Sequence, residues 1–322
     1  MSGAARTAWR RSAAARASGR LLWDANGADW PNRDSSRFVS AGGLDWHVQV
    51  MGQGPMMLLI HGTGASTHSW RALAPLLARR FTVVAPDLPG HGFTSMPSAA
   101  EGLSLPGMAA RLGRLLDALA ASPEIVVGHS AGAAILARMC LDGQIAPAHL
   151  VSLNGAFLPL RGAAVALFSP LAKLLTAIGP LPALFARLAA NPGSVERLLN
   201  DTGSRLEPAG IAQYRRLFAS PGHVAAALGM MANWRLDALE RDLGRLEPRL
   251  TLIVGENDGT ISPADAGRVA ALVPGATVAS LPGLGHLAHE EKPEEVAALI
   301  LERASGKPTQ GPRGESPRTG RY

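Results

Sequence analysis

The stretch EIVVGHSAGAAILARMCL, residues 124–141, decides how the rest of the chain is read. Its opening EIVV is a short apolar, β-prone run, and a helical Ala/Leu/Met pattern starts at Ala131. Between the two lies Ser130, with Gly128 before it and Gly132 after it. A Ser hydroxyl is a poor nucleophile at its own pKa and needs a base to activate it. It also needs exposure, which a strand-to-helix elbow supplies by turning sharply and lifting the side chain above the sheet. Such a turn has no room for neighbouring side chains, which accounts for both glycines and for the small Ala131 and Ala133. The N–H groups at the start of the helix would face any developing oxyanion. A G-x-S-x-G pattern also arises by chance in a chain with 36 glycines, so the reading depends on partners elsewhere.

Two partners follow in the expected context. LIVGENDGTISP sets Asp258 just past a buried strand, and GLGHLAHEEKP sets His286 in a loop before the last helix. The order Ser130, Asp258, His286 is that of the α/β-hydrolases and differs from the orders of the chymotrypsin and subtilisin types.

The remaining pattern alternates strand and helix. RFVSAGG and LDWHVQVMG read as a hairpin turning at Gly42-Gly43. MMLLIHG is a continuous apolar run of the kind buried on both faces of a parallel sheet. A helix from about Trp70 to Arg79 follows, with Ser and Thr before it as caps. FTVVAPDLPGHG, a helix near 106–121, HLVSLNGAF, LTLIVGEND, a helix near 264–272, ATVASLPG and a helix near 293–303 complete an α/β order with a mostly parallel sheet flanked by helices. The β signal disappears over 158–247, where Leu/Ala-rich helical stretches are punctuated by Pro and Gly. The expected division is a basic tail and entry segment over 1–36 and a core over 37–157 and 248–303. A helical cap over 158–247 and a disordered basic tail over 304–322 complete it.

The chain has 322 residues, 47% hydrophobic content and a net charge of +6. That charge belongs to the ends. Arg6, Arg10, Arg11, Arg16 and Arg20 stand without an acid in 1–20, and Lys307, Arg313, Arg318 and Arg321 outnumber Glu315 after 303. The body between is slightly acidic, which argues against a nucleic-acid-binding domain and leaves the tails weak attraction to anionic surfaces. The N-terminal tail lacks an apolar run long enough for a signal peptide, though its Arg/Ala/Ser bias also fits a transit peptide. The most apolar region, 163–190, is broken by Pro170, Lys173, Pro180, Pro182 and Arg187, too interrupted for a membrane span. A soluble cytoplasmic protein is the expectation. The single Cys140 excludes an internal disulfide and reads as a packing thiol.

Residues 37–303 resemble the α/β-hydrolase-fold superfamily of esterases, dehalogenases and peroxidase-like proteins. HGTGAS at 61–66 matches that superfamily's oxyanion-loop segment, which implies the backbone N–H of Thr63 as one donor and that of Ala131 as the other. PDLPGHG at 86–92 is a second signature. Some relatives carry their acid after the strand that here ends at Asn154; no carboxylate is available there, so Asp258 is the better choice. Ser at the elbow, rather than Asp, argues against haloalkane dehalogenation. DWPNRDSSRFVSAGGLDWHVQVMGQGP, LLIHGTGASTHSWRALAPLLARRFTVVAPDLPGHGFT and the MMANW of the cap are similar to the magnesium-chelatase accessory proteins of bacteriochlorophyll biosynthesis. That resemblance spans Trp30 to Glu302 and implies a role near magnesium insertion into protoporphyrin, with chelatase subunits as partners and the photosynthetic membrane as a peripheral location.

Other motifs are set aside. HGTGAST lacks the third glycine of a dinucleotide loop, because position 67 is Thr, and no phosphate-binding G-x-x-x-x-G-K-[ST] occurs. No metal-site spacing is present, and no cofactor is called for. His61 reads as a structural strand-end His, His129 and His289 as groups shaping the site, and His47 and His68 as packing or surface residues. Phe168, Met230, Met231 and Trp234 are the expected lining of an apolar or porphyrin-sized substrate pocket under the cap. Two functions stay open: an active serine hydrolase on an ester or thioester, and a porphyrin-binding or chelatase-assisting protein that keeps the hydrolase fold.

Overall fold

The computed structural model describes residues 19–98, 100–159, 183, 186–187, 191 and 193–304. The basic tails, Phe168 and most of 163–190 lie outside the described residues.

Eight strands form one sheet in the order β1-β2-β4-β3-β5-β6-β7-β8. The strands are β1 (Ser36–Ala41), β2 (Leu44–Met51), β3 (Met56–Ile60), β4 (Thr82–Pro86), β5 (Ile125–His129), β6 (His149–Leu153), β7 (Arg249–Gly255) and β8 (Thr277–Leu281). The β1–β2 hairpin and the β2–β4 pair are antiparallel, and every pair from β4 to β8 is parallel. The central strands β5 and β6 are buried at every position, as an apolar run covered on both faces must be. Gly42 and Gly43 close the hairpin with φ of 56° and 79°, a two-residue turn that needs positive φ at both positions.

Helices cover both faces. On one side α3 (Leu105–Ala118), α4 (Ala131–Leu141) and α9 (Ala264–Leu272) bury Leu112, Leu115, Ile135, Leu136 and Val269 against Leu58, Val126 and Leu252. On the other, α2 (Leu73–Leu77) and α11 (Pro293–Ala304) bury Leu73, Leu77, Val296 and Ile300 against Met57, Leu59 and Val127. Because β5 alternates its side chains between these layers, Val126 and Val127 enter opposite cores. The helix expected over 70–79 is shorter than its pattern suggests. A 3-10 turn at Thr67–Trp70 precedes α2, and the Ser66 hydroxyl bonds the His68 ring instead of capping.

Between β6 and β7 the described chain is helical: α5 (Ser194–Asp201), α6 (Pro208–Phe218), α7 (Pro221–Asn233) and α8 (Asp237–Asp242). The N-terminal segment, with its short helix α1 (Trp23–Asn26), straps α6 and α7 to the core. Arg216 pairs with Asp29 and donates to the Asn26 carbonyl, while the Gly19 carbonyl accepts from Ser220 Oγ. The DWPNR motif anchors the strap's other end, where buried Trp30 donates its Nε1–H to Thr67 Oγ1 and Asn32 donates to the Arg71 carbonyl.

Candidate active site

The loops after β3, β5, β7 and β8 meet at the carboxyl edge of the sheet, where a parallel α/β fold gathers its ligands. Ser130 is the junction of β5 and α4, with φ 51° and ψ −119°. A non-glycine residue held there is strained, and the surroundings fix it: its N–H donates to the Leu153 carbonyl and its own carbonyl accepts from Ala133 and Ala156. The glycines of the motif have steric reasons. A Cβ on Gly132 would run into the Ile60 carbonyl oxygen, and one on Gly128 would run into the backbone of Ala133. Gly62, in the facing loop, passes so close that a Cβ there would stand 2.9 Å from Ser130 Cβ.

Asp258 and His286 lie beside this elbow. The Nδ1–H of His286 donates to Asp258 Oδ2 at 2.8 Å, which leaves Nε2 as the basic nitrogen. Asp258 Oδ1 accepts the N–H groups of Thr260 and Ile261, at 2.7 and 2.9 Å. The hydrogen bonds of the described residues include none from Ser130 Oγ to His286; contacts of this kind are often long without substrate and tighten in the complex. Among the described residues neither the Thr63 nor the Ala131 N–H donates to another backbone carbonyl, and Ala131 begins α4 at the positive end of its dipole.

The flanking histidines are buried and held neutral. His129 Nε2–H donates to the His286 carbonyl at 3.0 Å, and its ring lies 4.8 Å from that of His286 and 4.5 Å from that of His289. Burial, reinforced by the neighbouring imidazoles, lowers His129 well below the ordinary histidine value and brings His289 down to about 3. His61 donates Nδ1–H to the Gly62 carbonyl and accepts the Leu88 N–H at Nε2, pinning the oxyanion-loop segment to PDLPGHG.

His47 is more than a packing or surface group. It is fully buried and pairs with Asp87 at 2.8 Å. Burial alone would raise Asp87, but the His47 charge and hydrogen bond, with the N–H of Phe93, hold its carboxyl far below the usual range. Asp87 also accepts the Thr67 N–H, so the PD of the second signature secures the far end of the HGTGAST loop. Cys140 is mostly buried, which pushes its thiol up to about 12 and leaves no reactive thiolate.

Several residues between β6 and β7 touch this rim: at the end of α5 the Thr202 carbonyl accepts the N–H groups of His286 and Gly259, and Ser204 Oγ accepts that of Leu287. Thr63 Oγ1 contacts Met230 Sδ at 3.3 Å, His223 Nε2–H donates to the Gly64 carbonyl, and Tyr214 donates to Glu290 in a buried cluster with Ser69 and Arg71. Met230 is fully buried and Trp234 half-buried against the main core. Of the two methionines expected to line the pocket, Met230 is the buried one. Neighbours on a helix point about 100° apart, and with Met230 turned inward Met231 is 48% exposed. Asn154 carries no carboxylate, yet its Nδ2–H donates to Asp258 Oδ2 at 2.8 Å. No sequence spacing signals that contact, because 104 residues separate the two. Among the described residues no cluster of three or more His, Cys, Asp or Glu could hold a metal, and no helix is long and apolar enough to cross a membrane.

The model of the alpha/beta hydrolase family matches residues 57–299, from β3 to the last helix. The chain belongs to the alpha/beta hydrolase family. As a member of that family it is 36% identical over 281 residues to the magnesium-chelatase 30 kDa subunit of Rhodobacter capsulatus, a match spanning 87% of this chain and 98% of the relative. Among solved structures it resembles an alpha/beta hydrolase fold protein from Burkholderia ambifaria. That similarity has a TM-score of 0.71 and 26% identity, covering 84% of this chain and 98% of the other. An epoxide hydrolase matches with the same TM-score at 21% identity and the same coverage, which speaks for the fold alone.

Proposed function

We propose that this alpha/beta hydrolase is a serine hydrolase acting on an ester or thioester of an apolar molecule. Ser130 is the nucleophile, His286 the base and Asp258 the acid that orients it. Ser130 Oγ attacks the acyl carbon while His286 Nε2 takes its proton, and the resulting imidazolium is stabilised by Asp258. The N–H groups of Thr63 and Ala131 receive the oxyanion; on its collapse His286 returns the proton to the leaving group, and water releases the acyl group by the same steps. On this reading 158–247 form a cap over a core of 37–157 and 248–303. The observation that carries it is the Asp258–His286 hydrogen bond, which fixes the tautomer with Nε2 as the basic nitrogen, together with the strained elbow at Ser130. A serine-reactive fluorophosphonate should label the purified protein at Ser130. Absence of labelling with intact fold would remove the hydrolase reading.

The similarity to a chelatase subunit over 87% of the chain supports a second reading: the protein assists the chelatase step of bacteriochlorophyll synthesis by holding a porphyrin, with the triad idle. Its partners are then chelatase subunits, and its location is cytoplasmic and peripheral to the photosynthetic membrane. Trp234, half-buried beside the core, supplies a flat group suited to a planar ligand. Magnesium protoporphyrin should quench Trp fluorescence saturably at micromolar concentration. Trp234→Leu should remove much of the quenching and Ser130→Ala none of it. Rapid turnover of small acyl esters without saturable quenching would leave an ordinary esterase with an apolar lid.

A further inference from the structure

Asn154 follows β6 with φ 49°, a left-handed conformation that Asn tolerates better than most residues. Its backbone N–H donates to the Ile253 carbonyl at 2.8 Å, tying the end of β6 to β7. Its side-chain Nδ2 donates to Asp258 Oδ2 at 2.8 Å and reaches the Gly285 carbonyl, next to His286, at 3.5 Å. Asp258 Oδ2 is also the acceptor of His286 Nδ1–H. Each oxygen of the carboxylate therefore has two donors: Thr260 and Ile261 on Oδ1, His286 and Asn154 on Oδ2. The amide orientation is fixed by chemistry, since the flipped form would set oxygen against oxygen. Asn154 Oδ1 is left buried without a hydrogen-bond partner, a cost that the contact with Asp258 offsets.

We infer that Asn154 is a positioning residue for the proposed reaction: it holds Asp258 Oδ2 toward His286 and shares that oxygen's negative charge. The inference rests on the hydrolase reading. An oxygen with two donors stabilises an imidazolium less than an oxygen with one, so Asn154 tempers the pull of Asp258 on the His286 proton. The other groups facing His286 are the rings of His129 from β5 and His289 from α10 (Ala288–Glu291), both buried and neutral. Glu291 is occupied by the N–H groups of Gly285 and Arg205. Among the described hydrogen bonds, Nδ1 of His286 meets Asp258 alone.

The test is the pH–rate profile of kcat/KM on an activated ester for wild type, Asn154→Gly and Asn154→Asp. Glycine removes the amide while keeping the left-handed backbone available. The acid limb should move to higher pH by roughly half to one unit in Asn154→Gly, with the alkaline plateau within about threefold of wild type. In Asn154→Asp a second carboxylate beside the first should move the limb further. A lowered plateau with an unmoved limb would mark a merely structural residue and overturn the assignment. The nitrogen NMR titration of the His286 ring should be displaced in the same sense without any turnover. No turnover with a displaced titration removes the hydrolase reading alone; an unmoved titration in both variants removes the role of Asn154. Should Asn154→Gly fail to fold, Asn154→Asp carries the same comparison.

Discussion

Ser130→Ala is expected to lower hydrolysis of an activated ester by about 10³-fold or more while the protein stays folded. On the proposed hydrolase reading the rate falls because alanine leaves the elbow without its nucleophilic hydroxyl. The fold survives because what holds position 130 is backbone: its N–H to Leu153, and its carbonyl to Ala133 and Ala156. Alanine keeps those bonds and its Cβ takes the place of the serine Cβ facing Gly62. His286→Ala should produce a loss of similar size, and the double change Ser130→Ala/His286→Ala should be hardly worse than either alone, because nucleophile and base act as one unit. Rates measured for the four proteins, with melting temperatures alongside, decide the matter. Equal turnover by wild type and Ser130→Ala would sink the nucleophile assignment.

The sheet was legible because its strands advertise themselves. MMLLI, EIVV and LTLIVG are continuous apolar runs, and being buried on both faces is what makes them so. The loops carrying Ser130, Asp258 and His286 were found through their place after such runs. What stayed hidden depends on contacts between distant segments. His47 lies on a strand with no outward sign that Asp87 waits for it across the β2–β4 pair, and a buried His–Asp contact leaves no periodic trace. Asn154 was judged by what it lacks, a charge, when its amide is the feature that matters beside Asp258. Met231 shows the limit of composition: two adjacent methionines look equivalent in sequence, yet helix geometry sends one to Thr63 and the other to solvent. The helix after HGTGAST was drawn too long because Ser66 and Thr67 resemble caps; in the fold they bond to His68 and Trp30 instead.

Asp258→Asn is expected to cost about 10⁴-fold in rate, the scale seen when the acid of a serine protease triad is made an amide. The structure supplies the reason in this chain. Both carboxylate oxygens act only as acceptors, Oδ1 from the Thr260 and Ile261 N–H groups and Oδ2 from His286 and Asn154. An amide has one oxygen to offer. The two backbone donors are fixed, so they keep that oxygen, and the NH2 group turns toward His286 and Asn154. His286 must then accept at Nδ1 and carry its proton on Nε2, the nitrogen that should take the proton of Ser130. The ring keeps its place but holds the wrong tautomer. Asn154→Ala, by contrast, leaves both Asp258 oxygens as acceptors and should be mild in maximal rate. Comparing kcat/KM for the two variants on one substrate gives the ranking. If Asn154→Ala proves the more damaging, the acid does not act from position 258, and the assignment of Asp258 falls.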